Sequence, residues 1–82
     1  MRVHAMQNGL RVNRAVFIPV KSYANAVARN KARRVVRECW RIGKARFLSG
    51  YDVAIVLFPG FDLFSERKAQ LERLLRQAGL FI

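Results

Sequence analysis

Few side chains in this sequence are of the types that carry out acid–base, nucleophilic or metal chemistry. His4 is the only histidine, Cys39 the only cysteine, and Asp and Glu together number five. None stands at the spacing of a zinc site or of a Ser/His/Asp set, and no glycine-rich phosphate loop is present. His4 falls in a predicted strand and Cys39 on the apolar side of a predicted helix, where a buried thiol is unreactive. We therefore predict no catalytic residue and no metal site in the protein.

The abundant functional groups are bases. The 82 residues include 16 Lys and Arg and carry a formal net charge of +11. Residues 25–47 alone contribute +7, with Glu38 as their single acid, whereas residues 48–82 are neutral overall. A charged helix face is usually only a solvated surface, but such a surface normally mixes both signs. The imbalance therefore predicts binding to a polyanion, for which nucleic acid and anionic membrane are the main candidates.

The apolar segments argue against the membrane. The longest uninterrupted apolar run, residues 53–59, is far shorter than the ~20 residues that span a bilayer. Residues 1–10 have no apolar signal-peptide core. A basic amphipathic helix can lie on a membrane surface, but so short a chain needs the apolar side of that helix for its own core. We predict no membrane partner and a cytoplasmic location, which the single cysteine also fits.

A long helix is predicted to hold the bases. It starts after Asn25, a preferred N-cap residue type, and a period of 3.6 residues separates two sides. Lys21, Asn25 and Arg29 meet near its start, where amide groups and the helix dipole favour a phosphate. Glu38 can pair with Arg34 or with Arg41. The apolar side contains Ala28, Ala32, Val35, Val36, Cys39, Gly43 and Phe47; the basic side contains Asn30, Arg33, Arg34, Arg37, Arg41 and Lys44, with Lys31 in the same segment.

Three strands are predicted around this helix. Residues 2–7 and 10–20 form the first two, and Asn8-Gly9 between them is the signature of a two-residue hairpin. The alternation of apolar and polar residues in the second strand predicts that one face packs on the core and the other faces solvent. Pro19 predicts that the strand lies at an edge of the sheet. Residues 51–58 are continuously apolar after Asp52, which is typical of a strand buried on both faces. Phe17 and Tyr23, which lie beside the basic segment in the sequence, are candidates for stacking on the nucleobases of a bound nucleic acid.

A second helix closes the chain. Ser65 is its predicted N-cap and Gly79 its stop. Its buried stripe would contain Leu71, Leu74, Leu75 and Ala78. A strand–helix–strand unit implies a parallel pair, so the predicted fold class is α+β, with helices packed on a small mixed sheet.

The basic helix also resembles a known family. Its sequence from Asn25 to Glu38, Asn-Ala-Val-Ala-Arg-Asn-Lys-Ala-Arg-Arg-Val-Val-Arg-Glu, is similar to the signature helix of the protein component of bacterial ribonuclease P. In that family the helix reads Asn-Ala-Val-x-Arg-Asn-Arg-x-Lys-Arg-x-x-Arg-Glu. Arg29, Asn30, Arg34, Arg37 and Glu38 match, while Lys31 and Arg33 are Lys/Arg exchanges. Lys21 fits a preceding Ser-Lys-Lys segment, with Ser22 in place of the second Lys.

The resemblance implies a fold and a function. The fold would be an α-β sandwich with a β-α-β crossover, left-handed in the family, and a C-terminal helix. The protein would bind the catalytic RNA of ribonuclease P through the basic helix, and one sheet face would contact the 5′ leader of precursor tRNA. RNA-bound magnesium would cleave the phosphodiester bond. The RNA-binding residues implied are Lys21, Asn25, Arg29, Asn30, Lys31, Arg33, Arg34, Arg37, Arg41 and Lys44.

One departure from the family and one alternative function accompany this expectation. The family usually begins with a helix and a strand that have no counterpart here, so residues 1–82 are expected to be one RNA-binding domain that is incomplete at its N-terminus. A sheet edge left without a partner would favour a homo-oligomer. The alternative function is a basic RNA-binding module, similar to a ribosomal protein, that belongs to no catalytic assembly.

Overall fold

The computed structural model describes residues 1–60 and 62–80. Three strands and two α-helices follow one another as β1 (Arg2–Gln7), β2 (Arg14–Pro19), α1 (Ala26–Gly43), β3 (Tyr51–Leu57) and α2 (Phe64–Gln77). A short 3-10 turn, Lys44–Arg46, continues α1 beyond Gly43. This confirms the predicted element order and the α+β class.

β3 is the central strand of the sheet, in the order β1-β3-β2. It pairs antiparallel with β1 and parallel with β2, and α1 forms the crossover between the two parallel strands. The predicted hairpin between β1 and β2 is therefore wrong. The backbone amide of Asn8 donates to the carbonyl of Gly50 at 2.9 Å, and the Asn8 side chain accepts from the amide of Leu10 at 2.7 Å. This turn directs the chain past the end of β3 instead of back along β1.

Both helices pack on one face of the sheet, and the other face is open. Val53, Ile55 and Leu57 point into the helical layer and are buried, whereas the residues between them in β3 are only half-buried. The prediction that β3 is buried on both faces is thus wrong. In β2 the half-buried Phe17 faces the core, and Val16 and Ile18 face solvent. The core contains Tyr23, Ala32, Val36, Cys39, Phe47, Val53, Ile55, Leu57, Leu71, Leu75 and Leu80.

The ends of α2 differ from each other in how they are closed. The N-cap is Leu63, which makes no side-chain capping bond, so the prediction of Ser65 as the cap is wrong. At the other end Gly79 has a φ of +76°. The amide of Gly79 donates to Arg76 and that of Leu80 to Leu75, which is the Schellman pair of bonds that favours glycine at this place. Gly79 therefore ends the helix as predicted. Ala78, which was predicted to belong to the buried stripe of α2, is exposed, so that part of the prediction is wrong.

The sheet has two outer strands, β1 and β2, each paired on one side only within the described residues. Pro19 ends β2, which confirms its predicted edge position. Association of two copies through a sheet edge stays a prediction. In the part of the chain that the structure describes, neither helix is long and apolar enough to cross a bilayer.

Candidate nucleic-acid interface

Asn25 caps the N-terminus of α1. Its backbone is extended (φ −163°), and its side-chain Oδ1 accepts from the amide of Ala28 at 2.8 Å. The carbonyl of Asn25 accepts from the amide of Arg29 at 3.1 Å. The predicted N-cap is therefore confirmed. The first turn contains no acid, so the positive end of the helix dipole is left without a counter-charge from α1 itself.

The two sides of α1 separate as the 3.6-residue period predicts. Ala32, Val36 and Cys39 are buried, because they sit against the sheet and α2. The opposite side points to solvent along the whole length of the helix. Its exposed residues are Asn30, Lys31, Arg34, Arg37 and Arg41, with Lys44 in the following turn, and the flanking Arg29 and Arg33 are half-buried.

Few of these bases are neutralised within the protein. Glu38 is the one acid on α1, and it pairs with Arg41, whose Nε donates to Glu38 Oε2 at 3.0 Å. The hydrogen bonds from Arg41 lower the pKa of Glu38, so the acid stays charged. Of the two partners predicted for Glu38, the structure selects Arg41. Within residues 1–60 and 62–80, no carboxylate pairs with Lys21, Lys31 or Arg34.

The two aromatic residues predicted to stack on nucleobases differ in their exposure. Tyr23 is only 5% exposed and belongs to the core, so the prediction that it stacks on a base is wrong. Phe17 is half-buried, and the guanidinium carbon of Arg37 lies 5.8 Å from the centre of its ring. Stacking of a nucleobase on Phe17 stays a prediction. The cation–π contact holds Arg37 at the junction of α1 and the sheet.

Lys21 lies in the exposed loop between β2 and α1, close in sequence to the N-cap. The loop is fastened at two points. The amide of Val20 donates to the carbonyl of Leu57 at 3.0 Å, and the hydroxyl of Tyr23 donates to the carbonyl of Phe58 at 3.0 Å. Lys21 thus lies in the loop that leads directly to the Asn25 cap, and a phosphate site shared by Lys21, Asn25 and Arg29 stays a prediction.

The open sheet face is a second surface of interest. Its central groove, of about 410 Å³, is lined by His4, Met6, Val16 and Ala54 among others. At one end Arg14 donates two hydrogen bonds of 2.7 Å to Asp52. These bonds, with a third from Asn8, lower the pKa of Asp52 to about 2. The sequence predicted one solvent-facing side for β2, but it did not predict that the side with Val16 and Ile18 would be the open one.

A buried arginine was missed entirely by the sequence analysis. Arg67 of α2 is 4% exposed, and its guanidinium bonds Asp62, Gln70, Tyr23 and the carbonyl of Phe58. Its position four residues before Leu71 places it on the leucine stripe, but an arginine is almost never fully buried without a partner. That position was the available signal, because an arginine on the buried side of a helix requires polar partners such as the hydroxyl of Tyr23.

The groups capable of acid–base or nucleophilic chemistry are scattered. His4 is exposed on the open sheet face, while Cys39 is 2% exposed on the core side of α1. Burial raises the pKa of the Cys39 thiol, which keeps it protonated. Among the described residues, no three His, Cys, Asp or Glu side chains are placed to hold a metal ion together.

Comparisons with known proteins agree with the resemblance seen in α1. The family model for Ribonuclease P matches residues 1–79. The ribonuclease P protein component of Caldanaerobacter subterraneus is 33% identical over 96% of this chain and 70% of the relative. That of Natranaerobius thermophilus is 31% identical over 82% of this chain, and this chain spans 58% of its length.

Solved structures give the same result for the fold. The RNase P protein of Staphylococcus aureus superposes with a TM-score of 0.83 at 25% identity, covering 98% of this chain and 75% of that one. The match includes the β2–α1–β3 crossover and both helices, since nearly the whole chain is covered. On these grounds the chain belongs to the family of ribonuclease P protein components.

Proposed function

We propose that this chain is the protein subunit of ribonuclease P: it binds the catalytic RNA of that enzyme and assists removal of the 5′ leader from precursor tRNA. The observation that carries the proposal is the row of basic residues along α1, which within residues 1–60 and 62–80 has Glu38 as its one acidic partner, in a chain of this family. Such a row costs stability by self-repulsion, and a phosphate backbone relieves it.

The basic side of α1 is the docking surface for the RNA. Arginine predominates there, and its planar guanidinium can bind two phosphate oxygens at once. Lys21 and the start of α1 add a place for one further phosphate. Val27, in the first helical turn, is 78% exposed. An apolar side chain next to basic residues suits contact with a ribose or with the edge of a nucleobase.

The open sheet face is the proposed contact for the leader. Its groove has apolar walls formed by Met6 and Val16, with Arg14 at its rim. A single strand could lay its bases on the apolar floor and its phosphates near the rim. Arg14 is already bonded to Asp52, so its charge is partly neutralised and the leader should bind more weakly than the docking RNA.

The magnesium required for phosphodiester hydrolysis is proposed to be held by the RNA. The described side chains do not fit a metal site of their own: Asp52 and Asp62 are each engaged by an arginine, and no cluster of three ligands exists. Magnesium would supply the activated nucleophile and stabilise charge on the leaving oxygen. The protein would contribute the positioning of the two RNAs.

Reconstitution tests this function. The chain is mixed with ribonuclease P RNA and precursor tRNA at a magnesium concentration too low for the RNA alone. Cleavage at the mature 5′ end, restored by the chain, supports the proposal. A chain that binds both RNAs tightly without restoring cleavage would instead be a plain RNA-binding module, and the proposal would be wrong.

A further inference from the structure

The buried pair of Arg67 and Asp62 is costly for so small a domain. Both side chains are less than one-tenth exposed, and Arg67 Nη2 lies 2.6 Å from Asp62 Oδ1. Ion pairs of this kind often add nothing to stability compared with apolar residues of the same size. Asp62 also has a φ of +50°, a conformation that non-glycine residues seldom adopt. The arrangement therefore calls for a role other than stabilising the core.

The contacts of Arg67 connect α2 to the loop before α1. Its Nη2 group donates to the hydroxyl of Tyr23 at 3.2 Å and to the carbonyl of Phe58 at 2.7 Å. Its Nε donates to Asp62 at 2.9 Å and its Nη1 to Gln70 at 2.9 Å. Every side of the guanidinium is occupied, so its orientation is fixed.

Tyr23 is the part of this network that lies in the loop before α1. It lies two residues after Lys21 and two before the N-cap Asn25. Its hydroxyl contacts Arg67, Asp62 and the Phe58 carbonyl, while its ring is buried in the core. Held at both ring and hydroxyl, Tyr23 determines where the short loop on either side of it can lie.

From these contacts we infer that Arg67 is a positioning residue for RNA binding: through Tyr23 it fixes Lys21 and the start of α1 in the geometry that receives a phosphate. The inference rests on the proposed function, because it names a residue that acts on the same docking surface without touching RNA. A fixed loop matters because a loop that must be ordered on binding loses affinity to that ordering.

Two variants remove the network while keeping the fold. The first combines Arg67→Met with Asp62→Asn, which leaves the net charge at +11 and avoids a lone buried charge. Asparagine also tolerates the left-handed backbone at position 62. The second is Tyr23→Phe, which keeps the ring and removes only the hydroxyl. Val53→Ala is the control, since it destabilises the core at β3 without touching the network.

The test is a double-mutant cycle with Lys21→Gln, measured as the Kd for ribonuclease P RNA at 150 mM salt and well below the unfolding temperature. Loss of one phosphate contact should weaken the otherwise unaltered protein about fivefold. In the Arg67/Asp62 and Tyr23 variants, Lys21→Gln should weaken binding less than twofold, because Lys21 is no longer held in place. In the Val53→Ala background the fivefold effect should persist.

The outcomes separate the inference from the proposed function. A fivefold effect of Lys21→Gln in every background would overturn the inference, and Arg67 would then be purely structural. If Lys21→Gln left the Kd of the otherwise unaltered chain for ribonuclease P RNA unchanged, the inference would be overturned as well. Failure of the unaltered chain to bind ribonuclease P RNA would overturn both the inference and the proposed function.

Discussion

Neutralising three bases along α1 should lower the salt dependence of RNA binding by a calculable amount. Lys31, Arg34 and Lys44 are exposed, pair with no carboxylate among the described residues and are spread along the length of the docking side. Replacing each by glutamine removes the charge but retains a good helix former. Each lost phosphate contact reduces the slope of log K against log salt by about 0.7 to 0.9. The triple variant should therefore lose about 2 to 3 from the slope.

The assay is the Kd for ribonuclease P RNA between 50 and 200 mM salt at constant magnesium. Across that range the Kd of the triple variant should rise about 20- to 40-fold less than that of the unaltered chain. A control triple replaces Arg11, Lys68 and Arg73, which lie off α1, by glutamine. Both triples lower the net charge from +11 to +8, so long-range attraction changes to a similar degree.

The control decides what the result means. If contacts on α1 dominate, the control triple should keep most of the original slope, because its bases do not meet phosphates. Equal losses in the two triples would show that only net charge matters, and the assignment of the docking side to α1 would be refuted. Circular dichroism should confirm that both variants retain their helices.

Three further predictions concern stability and reactivity. Asn25→Ala should lower the free energy of unfolding by about 1 kcal/mol through loss of the N-cap bond, whereas Ser65→Ala, which removes no cap, should leave the urea midpoint nearly unchanged. The pKa of Asp52 is lowered from 3.8 to about 2 in the folded state, so its bond with Arg14 stabilises the fold above pH 4 and this stabilisation is lost as the pH falls toward 2; Asp52→Asn should flatten the urea midpoint over that interval, and an unchanged pH profile would contradict the assignment. Cys39, buried and with a raised thiol pKa, should react with a thiol reagent only as fast as the chain opens, and rapid labelling of folded protein would show that the thiol is accessible.

The elements of this fold were predictable where local signals define them. The start of α1 at Asn25 follows from a cap residue next to a period of 3.6, and the end of α2 at Gly79 from a residue that adopts positive φ. The stripe of bases was predictable for the same reason, since a helix places residues three and four apart on one side.

The pairing of the strands was not predictable from local signals. Asn8-Gly9 is a strong hairpin sequence, but β3 is the most apolar strand and gains more by taking the centre, with a partner on each side. A central position requires β1 and β2 to be separated. Which strand occupies the middle is decided by burial over the whole sheet, about which two turn residues carry no information.

The buried arginine shows the other limit. Arginine is a residue type expected at the surface, because it is almost never fully buried unless it is paired. Its main partners, Asp62 and Tyr23, lie five and 44 positions away. The period of α2 places Arg67 on the side of Leu71 and Leu75, away from the exposed Arg73 and Arg76, but it does not identify the partners that allow an arginine to be buried there.

The central position of β3 also determines when the protein can fold as it is synthesised. Arg2 in β1 is paired with Val56, and Pro19 in β2 with Leu57. Neither early strand has a sheet partner until the ribosome has translated nearly three-quarters of the chain. The whole of α1, with six of the 16 basic residues, is therefore made before the surface that buries its apolar side exists. The apolar side of α1 can be covered by the complete sheet only once β3 is in place, so the core of this domain closes late in folding.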